Sequence, residues 1–321
     1  MLESKVSGVK IAAISTTLPI EKKITRDSKA YYVASELQTT SDLGFDAADR
    51  IITQLEIPRE EIGILLFGSR TPDYRSPNTA AILQGRLGLA IDCICFDTNV
   101  GANGFIKMTQ VAAAILAKSN SAYALIIVGD TPSKLQKDTV GLHFEISDAA
   151  TAVLLRKSNS DDTLKFLTHS SGSHFKGTYL KEGGFRDFSI ETPYDGSKSE
   201  NYVVKSDLQD LQDFFQDIRC ITERMMKDDE TNHLVNSVIL ENLEIDDSWS
   251  DQRTINADAS ELLLLLENLV GSKLLKSNKL QFISAGEGMA FMTMTMNYIP
   301  EVLSKNHTLN FFDNYKISHE M

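Results

Sequence analysis

Only three cysteines, Cys93, Cys95 and Cys220, occur among 321 residues, and that scarcity excludes a disulfide framework. Cys93 and Cys95 stand two apart, so a strand would point both the same way, but two thiols fall short of a metal site. They read as packing residues in a reducing compartment. Positive charge is also in short supply: 32 Lys and Arg stand against 44 Asp and Glu, a formal net charge of −12. A nucleic acid or an anionic membrane needs a basic surface, so neither is expected as a partner. No apolar stretch reaches the roughly 20 residues of a bilayer span. Residues 9–18 are too few and follow Glu3, and the five leucines at 262–266 read as a core helix. No secretory leader is visible, and a cytoplasmic location is expected.

What is present is an ordinary globular composition, 42% hydrophobic and 24% charged, in a chain long enough for two domains or two pseudo-repeated halves. The chain is organised around Cys95-Phe96-Asp97-Thr98-Asn99-Val100-Gly101-Ala102-Asn103-Gly104-Phe105. An apolar β-type run ends at Asp97, a short glycine-containing turn follows, and then comes a helix apolar nearly all round, from Phe105 through Leu116. A strand, a tight turn and a buried helix present one side chain at a helix N-terminus. Unpaired amides and the helix dipole there would stabilise a thiolate.

Along the chain, residues 9–15 read as a first strand, and residues 20–40 as a polar loop with some helix. Ser41-Asp42-Leu43-Gly44 resembles a helix start, and Phe45, Ala47, Ala48, Ile51, Ile52 and Leu55 follow at helical spacing. Residues 61–69 form a continuous apolar run, the mark of a strand covered on both faces. A two-proline loop and a helix over 79–86, closed by Gly88, come next. Strands are expected at 93–98, 124–130 and 151–155, flanking the helix after Ala102, and alternating strands and helices imply a mostly parallel sheet. The second half repeats this more faintly. Strands are expected at 165–170, 236–240, 252–257, 279–285 and 292–298, and helices at 208–226 and 260–270.

The central stretch resembles the active-site segment of the β-ketoacyl-acyl-carrier-protein synthase III family, which reads roughly FD-x-x-x-G-C-S-G-F. Phe96, Asp97, Gly101, Gly104 and Phe105 match, and the nucleophilic cysteine falls on Ala102. Three further segments match family motifs at family spacing: 41–48, 69–88 (with Thr71-Pro72-Asp73-Tyr74) and Gly129-Asp130. The likeness covers roughly residues 9–155. It implies an α/β, thiolase-like fold of two pseudo-repeated βαβαβαββ halves, 1–160 and 161–321, forming a layered αβαβα core.

In the second half the pattern decays. The family's Gly-Asp-Gly-Ala segment survives as Ser147-Asp148-Ala149-Ala150. Its histidine, in an HQAN-type motif after a strand, is expected after residues 236–240, where the chain reads Glu241-Asn242-Leu243-Glu244. His233 mimics the motif but precedes that strand. Asn256 either persists as the family's second hydrogen-bond donor, in a GNTSAAS-type motif, or caps the helix at 260. Gly286-Glu287-Gly288 matches the glycine segment that backs the site, with Glu287 adding a carboxylate.

The family reaction needs a cysteine to carry an acyl group and a His/Asn pair to steady an enolate. With Ala102 at the nucleophile position the resemblance implies a non-catalytic subunit. It would support a cysteine-bearing ketosynthase III-like partner in fatty-acid, polyketide or other secondary-metabolite synthesis. Acyl carrier protein or acyl-CoA would be reached mainly through that partner. Neither cofactor nor metal is expected. The alternatives left open are a cysteine-independent malonyl-thioester decarboxylase and an acyl-binding pseudoenzyme.

Overall fold

The structure is a computed structural model that describes residues 1–24, 30–134, 146–160, 162–180, 204–205, 207–243, 257–286, 288–303 and 307–309. The chain opens with β1 (Leu2–Ser7) and β2 (Val9–Pro19), and β2 is buried over nearly its whole length. β3 (Glu21–Ile24) and β4 (Ala30–Val33) pair antiparallel, where a polar loop with some helix is expected from sequence. The strand forms because β4 carries Tyr31, Tyr32 and Val33, strong β formers, and Tyr32 docks against the cluster of Leu18, Ala149 and Leu264.

α1 (Thr40–Gln54) follows, its first turn closed by the Thr39 N–H donating to Asp42 Oδ2 at 2.9 Å. Gly44 lets α1 cross the sheet closely, since a Cβ there would stand 2.5 Å from Ile127 Cγ2. Then come β5 (Ile62–Gly68), α2 (Thr79–Arg86), β6 (Ile94–Thr98), α3 (Gly104–Lys118), β7 (Tyr123–Asp130) and β8 (Ala149–Lys157). The second half runs β9 (Thr163–Ser170), the short pair β10 (Tyr179–Leu180) and β11 (Val204–Lys205), then α4 (Leu208–Met225), capped by Asp207. β12 (Asn232–Val235), α5 (Ser237–Leu243), α6 (Glu261–Gly271), β13 (Leu280–Gly286) and β14 (Ala290–Met296) follow. β15 (Val302–Leu303) and β16 (His307–Leu309) end the described chain.

Two sheets carry the fold. One has the order β15-β2-β8-β7-β5-β6, with β16 also beside β2; the other has the order β1-β9-β14-β13-β12. α3 and α6 lie between them, because one core cluster joins Phe105 and Met108 of α3, Leu262 and Leu266 of α6, Leu66 and Val128 of the first sheet, and Phe282 and Met292 of the second. The rings of Phe105 and Phe282 meet edge to face at 5.1 Å. α1 and α2 cover the outer face of the first sheet. α4 and α5 cover the outer face of the second. The layering is therefore α-β-α-β-α, and apolar burial on both faces of each sheet accounts for the unbroken hydrophobic runs in β5 and β7. The sheets interleave along the chain: residues 2–7 join the second sheet, and residues 302–303 and 307–309 join the first.

One expected strand is a helix. Residues 236–240 open α5, and the strand lies four residues earlier as β12. A short apolar run has no period that separates strand from helix. Here Asn236 Oδ1 receives the Ile239 N–H at 3.4 Å and starts a helical turn, after which Ile239 and Leu243, four apart, are buried together. The strand expected at 252–257 falls mostly outside the described residues.

Candidate functional site

β6 runs into the turn, and the turn into α3, with the Gly104 N–H donating to the Gly101 carbonyl at 2.7 Å. Ala102, in the turn, is 5% exposed. It is held from the opposite half of the fold: the Ser284 hydroxyl on β13 donates to the Ala102 carbonyl at 2.9 Å. Gly286, at the end of the same strand, comes so near that a Cβ on it would lie 3.2 Å from the Ala102 Cβ and 3.2 Å from Asn103 Nδ2. Asn103 donates from Nδ2 to the Ala290 carbonyl on β14 at 2.8 Å. Its buried Oδ1 has no hydrogen-bond partner among the described residues. The corner and the β13–β14 turn are thus one packed unit. Gly288 in that turn adopts φ +72, which favours glycine. Asp97 has a separate task, taking the Thr79 and Ala80 amides at the start of α2 at 2.6 and 2.7 Å.

A second polar group stands at the end of β12, against the strand that carries Gly286. The Asn236 side chain brackets Ala285, donating to its carbonyl at 2.7 Å and accepting from its amide at 3.3 Å, so it prolongs the β12–β13 pairing by one step. Ser237 follows, and Glu261 at the head of α6 accepts both its amide and its hydroxyl, at 2.9 and 3.0 Å. Because β12 ends at Val235, the position directly after the strand is Asn236-Ser237 and not the Glu241-Asn242 reached from sequence. His233 is elsewhere. It pairs with Gln281 near the start of β12, and its ring nitrogens face Gln281 Oε1 at 2.9 Å and the Asp228 carbonyl at 3.0 Å. Of the other residues expected at the site, Gly286 and Ala102 are in contact distance, while Asn256 and Glu287 lie outside the described residues.

Buried charge supports this layer. Asp130, at the end of β7, accepts from the Ser69 hydroxyl at 3.0 Å and the Arg70 amide at 2.7 Å. The Arg70 guanidinium pairs with both Asp130 and Asp258. Asp148 takes the Ala34 and Ser133 amides at 2.7 and 3.0 Å and the Ser133 hydroxyl; burial still pushes its carboxyl above the usual range. Arg86 pairs with Asp42 at 3.0 Å and lies over the Phe45 ring. Arg70 and Arg86 are therefore both committed to carboxylates.

Deeper in the core, Glu267 on α6 accepts from the Thr16 hydroxyl at 2.9 Å, and burial raises its carboxyl to about 8. Sequence reading missed Ser237, Glu261 and Glu267. The one available signal was two glutamates set into a leucine-rich helix, where an isolated charge has to find a buried partner.

Chemically, the corner offers a methyl group. The polar side chains of Asn103 and Ser284 beside it are each bonded to a backbone carbonyl.

Residues 96–172 match the family model for 3-Oxoacyl-[acyl-carrier-protein (ACP)] synthase III. A β-ketoacyl-[acyl-carrier-protein] synthase III of Xylella fastidiosa (strain Temecula1) is 32% identical over 146 residues, 44% of each chain. One from Clostridium perfringens is 32% identical over 170 residues, 52% of this chain and 51% of its own. The chain spans about half the length of the curated relatives it matches. A 3-oxoacyl-(acyl-carrier protein) synthase structure from Burkholderia xenovorans LB400 superposes with a TM-score of 0.80 at 19% identity, over 96% of this chain and 99% of that one. Xanthomonas campestris OleA E117A superposes with a TM-score of 0.69 at 17% identity, over 91% and 99%. The fold is thiolase-like. No helix of the described residues is long and apolar enough to cross a membrane.

Proposed function

We propose that this chain is a non-catalytic subunit of a ketosynthase III-like condensing assembly, supporting the site of a cysteine-bearing partner. The observation that carries this reading is the corner itself: Ala102 keeps a close-packed seat against Gly286 and Ser284, yet its side chain is a methyl group. A methyl group forms no thioester, so acyl transfer by the family route has no place to begin. Directly after β12, Ser237 is tied to Glu261, and a carboxylate there opposes any developing enolate.

The architecture suited to a partner remains. Among the described residues β6 is the last strand of its sheet; Ile94 opens it at 46% exposure, and Ile91, three residues before, is 92% exposed. An unpaired edge flanked by exposed isoleucines favours strand addition by a second chain. The net charge of −12 disfavours docking of an acidic carrier protein, and of Arg70, Arg75 and Arg86 the first and last are paired with carboxylates, so the carrier would dock mainly on the partner.

The test is co-expression with a cysteine-bearing synthase III homologue from the same genome, followed by affinity purification through this chain. A stable heteromer whose condensation rate or product length differs from that of the partner alone is expected. Failure to co-purify, together with a partner fully active alone, sinks the reading, as does an acylated residue trapped on this chain by itself.

A further inference from the structure

β1 ends the second sheet and pairs, among the described residues, only with β9, so the outer row of its N–H and C=O groups is unpaired in the sheet. The inner and outer faces of the strand differ in character. Val6 joins the core cluster with α3, and the Ser4 hydroxyl accepts from Gln110 Nε2 of α3 at 2.8 Å, so Leu2, Ser4 and Val6 share the inner face. Leu2 on that face is 67% exposed. Just past Gln110, α3 leaves Val111 and Ala114 exposed as well. Glu3 and Lys5 turn to the opposite face, and neither has an ion pair among the described residues. Lys5 instead stands directly opposite Lys165 of β9, a like-charge pair that opposes the strand pairing.

We propose that β1 seats a second copy of this chain, whose own β1 lies antiparallel to it across a two-fold axis at Ser4. The sequence around Ser4 is self-complementary in that register. Leu2 faces Val6 of the second copy and Glu3 faces its Lys5, each contact made twice by symmetry. The incoming carboxylate sets a negative charge beside the Lys5–Lys165 pair, and the incoming valine covers Leu2. A lysine on a sheet edge ordinarily deters strand addition; here it favours the register that brings a glutamate to it. Val111 and Ala114 of α3 give the junction an apolar floor, and two five-stranded sheets become one. α3 packs on β1 in one sheet and on β5 and β7 in the other, while α6 packs on β12 and β2, so β1 and β6 end their sheets on the same side of the molecule. Self-pairing therefore covers the side on which a cysteine-bearing subunit would add, and it is the state of the chain without that subunit. The self-pairing itself does not rest on the heteromer reading.

The experiment measures the mass of the full chain alone, with any tag at its carboxyl end, by light scattering during gel filtration and by sedimentation at several concentrations. Wild type is expected to be a dimer. Glu3→Lys and Lys5→Glu each set like charges opposite one another twice, and each is expected to weaken self-association about tenfold. Mixed in equal amounts, the two variants are expected to associate with each other at wild-type strength, because every cross-strand pair is again opposite in charge. The double variant Glu3→Lys/Lys5→Glu is expected to do the same by itself. Both positions are exposed, so the substitutions leave the fold intact. A monomeric wild type, a dimer indifferent to both single substitutions, or single variants that fail to associate on mixing each overturns the proposal. None of these results touches the heteromer reading, since no cysteine-bearing subunit takes part in the test.

Discussion

Glu261 takes both donors that Ser237 has to offer, the backbone N–H at 2.9 Å and the hydroxyl at 3.0 Å. The carboxylate is 5% exposed and heads the central helix α6, so it ties that helix to the first turn of α5.

Removing this carboxylate leaves two half-buried donors unmet. Glu261→Ala is expected to lower stability by about 2 kcal/mol, and Glu261→Gln, which keeps one acceptor, by less. Chemical denaturation of the three proteins orders them. Equal midpoints for wild type and the alanine variant refute the cap.

The approach of β13 to the corner leaves no room for a side chain at Gly286. Gly286→Ala puts a methyl 3.2 Å from both the Ala102 Cβ and Asn103 Nδ2. A loss of roughly 1–3 kcal/mol is expected from overpacking. Combining it with Ala102→Gly is expected to recover part of that loss, and no recovery in the double variant contradicts the packing described here.

Burial raises the Glu267 carboxyl from its ordinary value of 4.5 to about 8, against the opposing pull of Thr16 and Arg50. The folded chain therefore holds a proton that the unfolded chain releases. The contribution to stability is complete below pH 4.5 and is lost progressively as the pH rises through 8. Glu267→Gln stays neutral throughout. It is expected to gain on the order of 2 kcal/mol over wild type at the alkaline end, with the gain shrinking towards acid pH. Thermal melts across that range check the sign, and a gain that grows towards acid pH refutes it.

A thiol introduced at the corner tests the position of residue 102. In Ala102→Cys the sulfur sits at the N-terminus of α3, where amides and dipole favour a thiolate. Incubation with acetyl-CoA is expected to add one acetyl group to this variant and none to wild type, by intact mass. Condensation with a malonyl carrier is expected in neither, since Ser237 and Glu261 occupy the place after β12. An unmodified variant places residue 102 away from an acyl pocket.

Much of the architecture was legible because local pattern and burial agree. The run 61–69 is covered on both faces and became β5, and the apolar helix after Ala102 became α3, sandwiched between two sheets. The helix over 79–86 appears with the same limits. Residues 236–240 misled because a run of three apolar residues fits strand and helix alike, and Asn236 settled the matter through a hydrogen bond to a residue three places on. β1 carried no sequence signal, since its exposed residues alternate with only half-buried ones at the border of a sheet.

The sequence by itself determined that a methyl group stands in the turn between β6 and α3, because that turn is built from neighbouring residues whose types are fixed in order. It also determined the strand and helix alternation of the first half, which rests on spacing along one segment. Only the tertiary structure decided what surrounds that methyl group. Gly286 lies 184 positions from Ala102 in the chain and Glu261 lies 24 from Ser237, and no pattern within either segment announces those contacts. They exist because two sheets close on a shared pair of helices, and that closure brings together residues whose spacing along the chain carries no information.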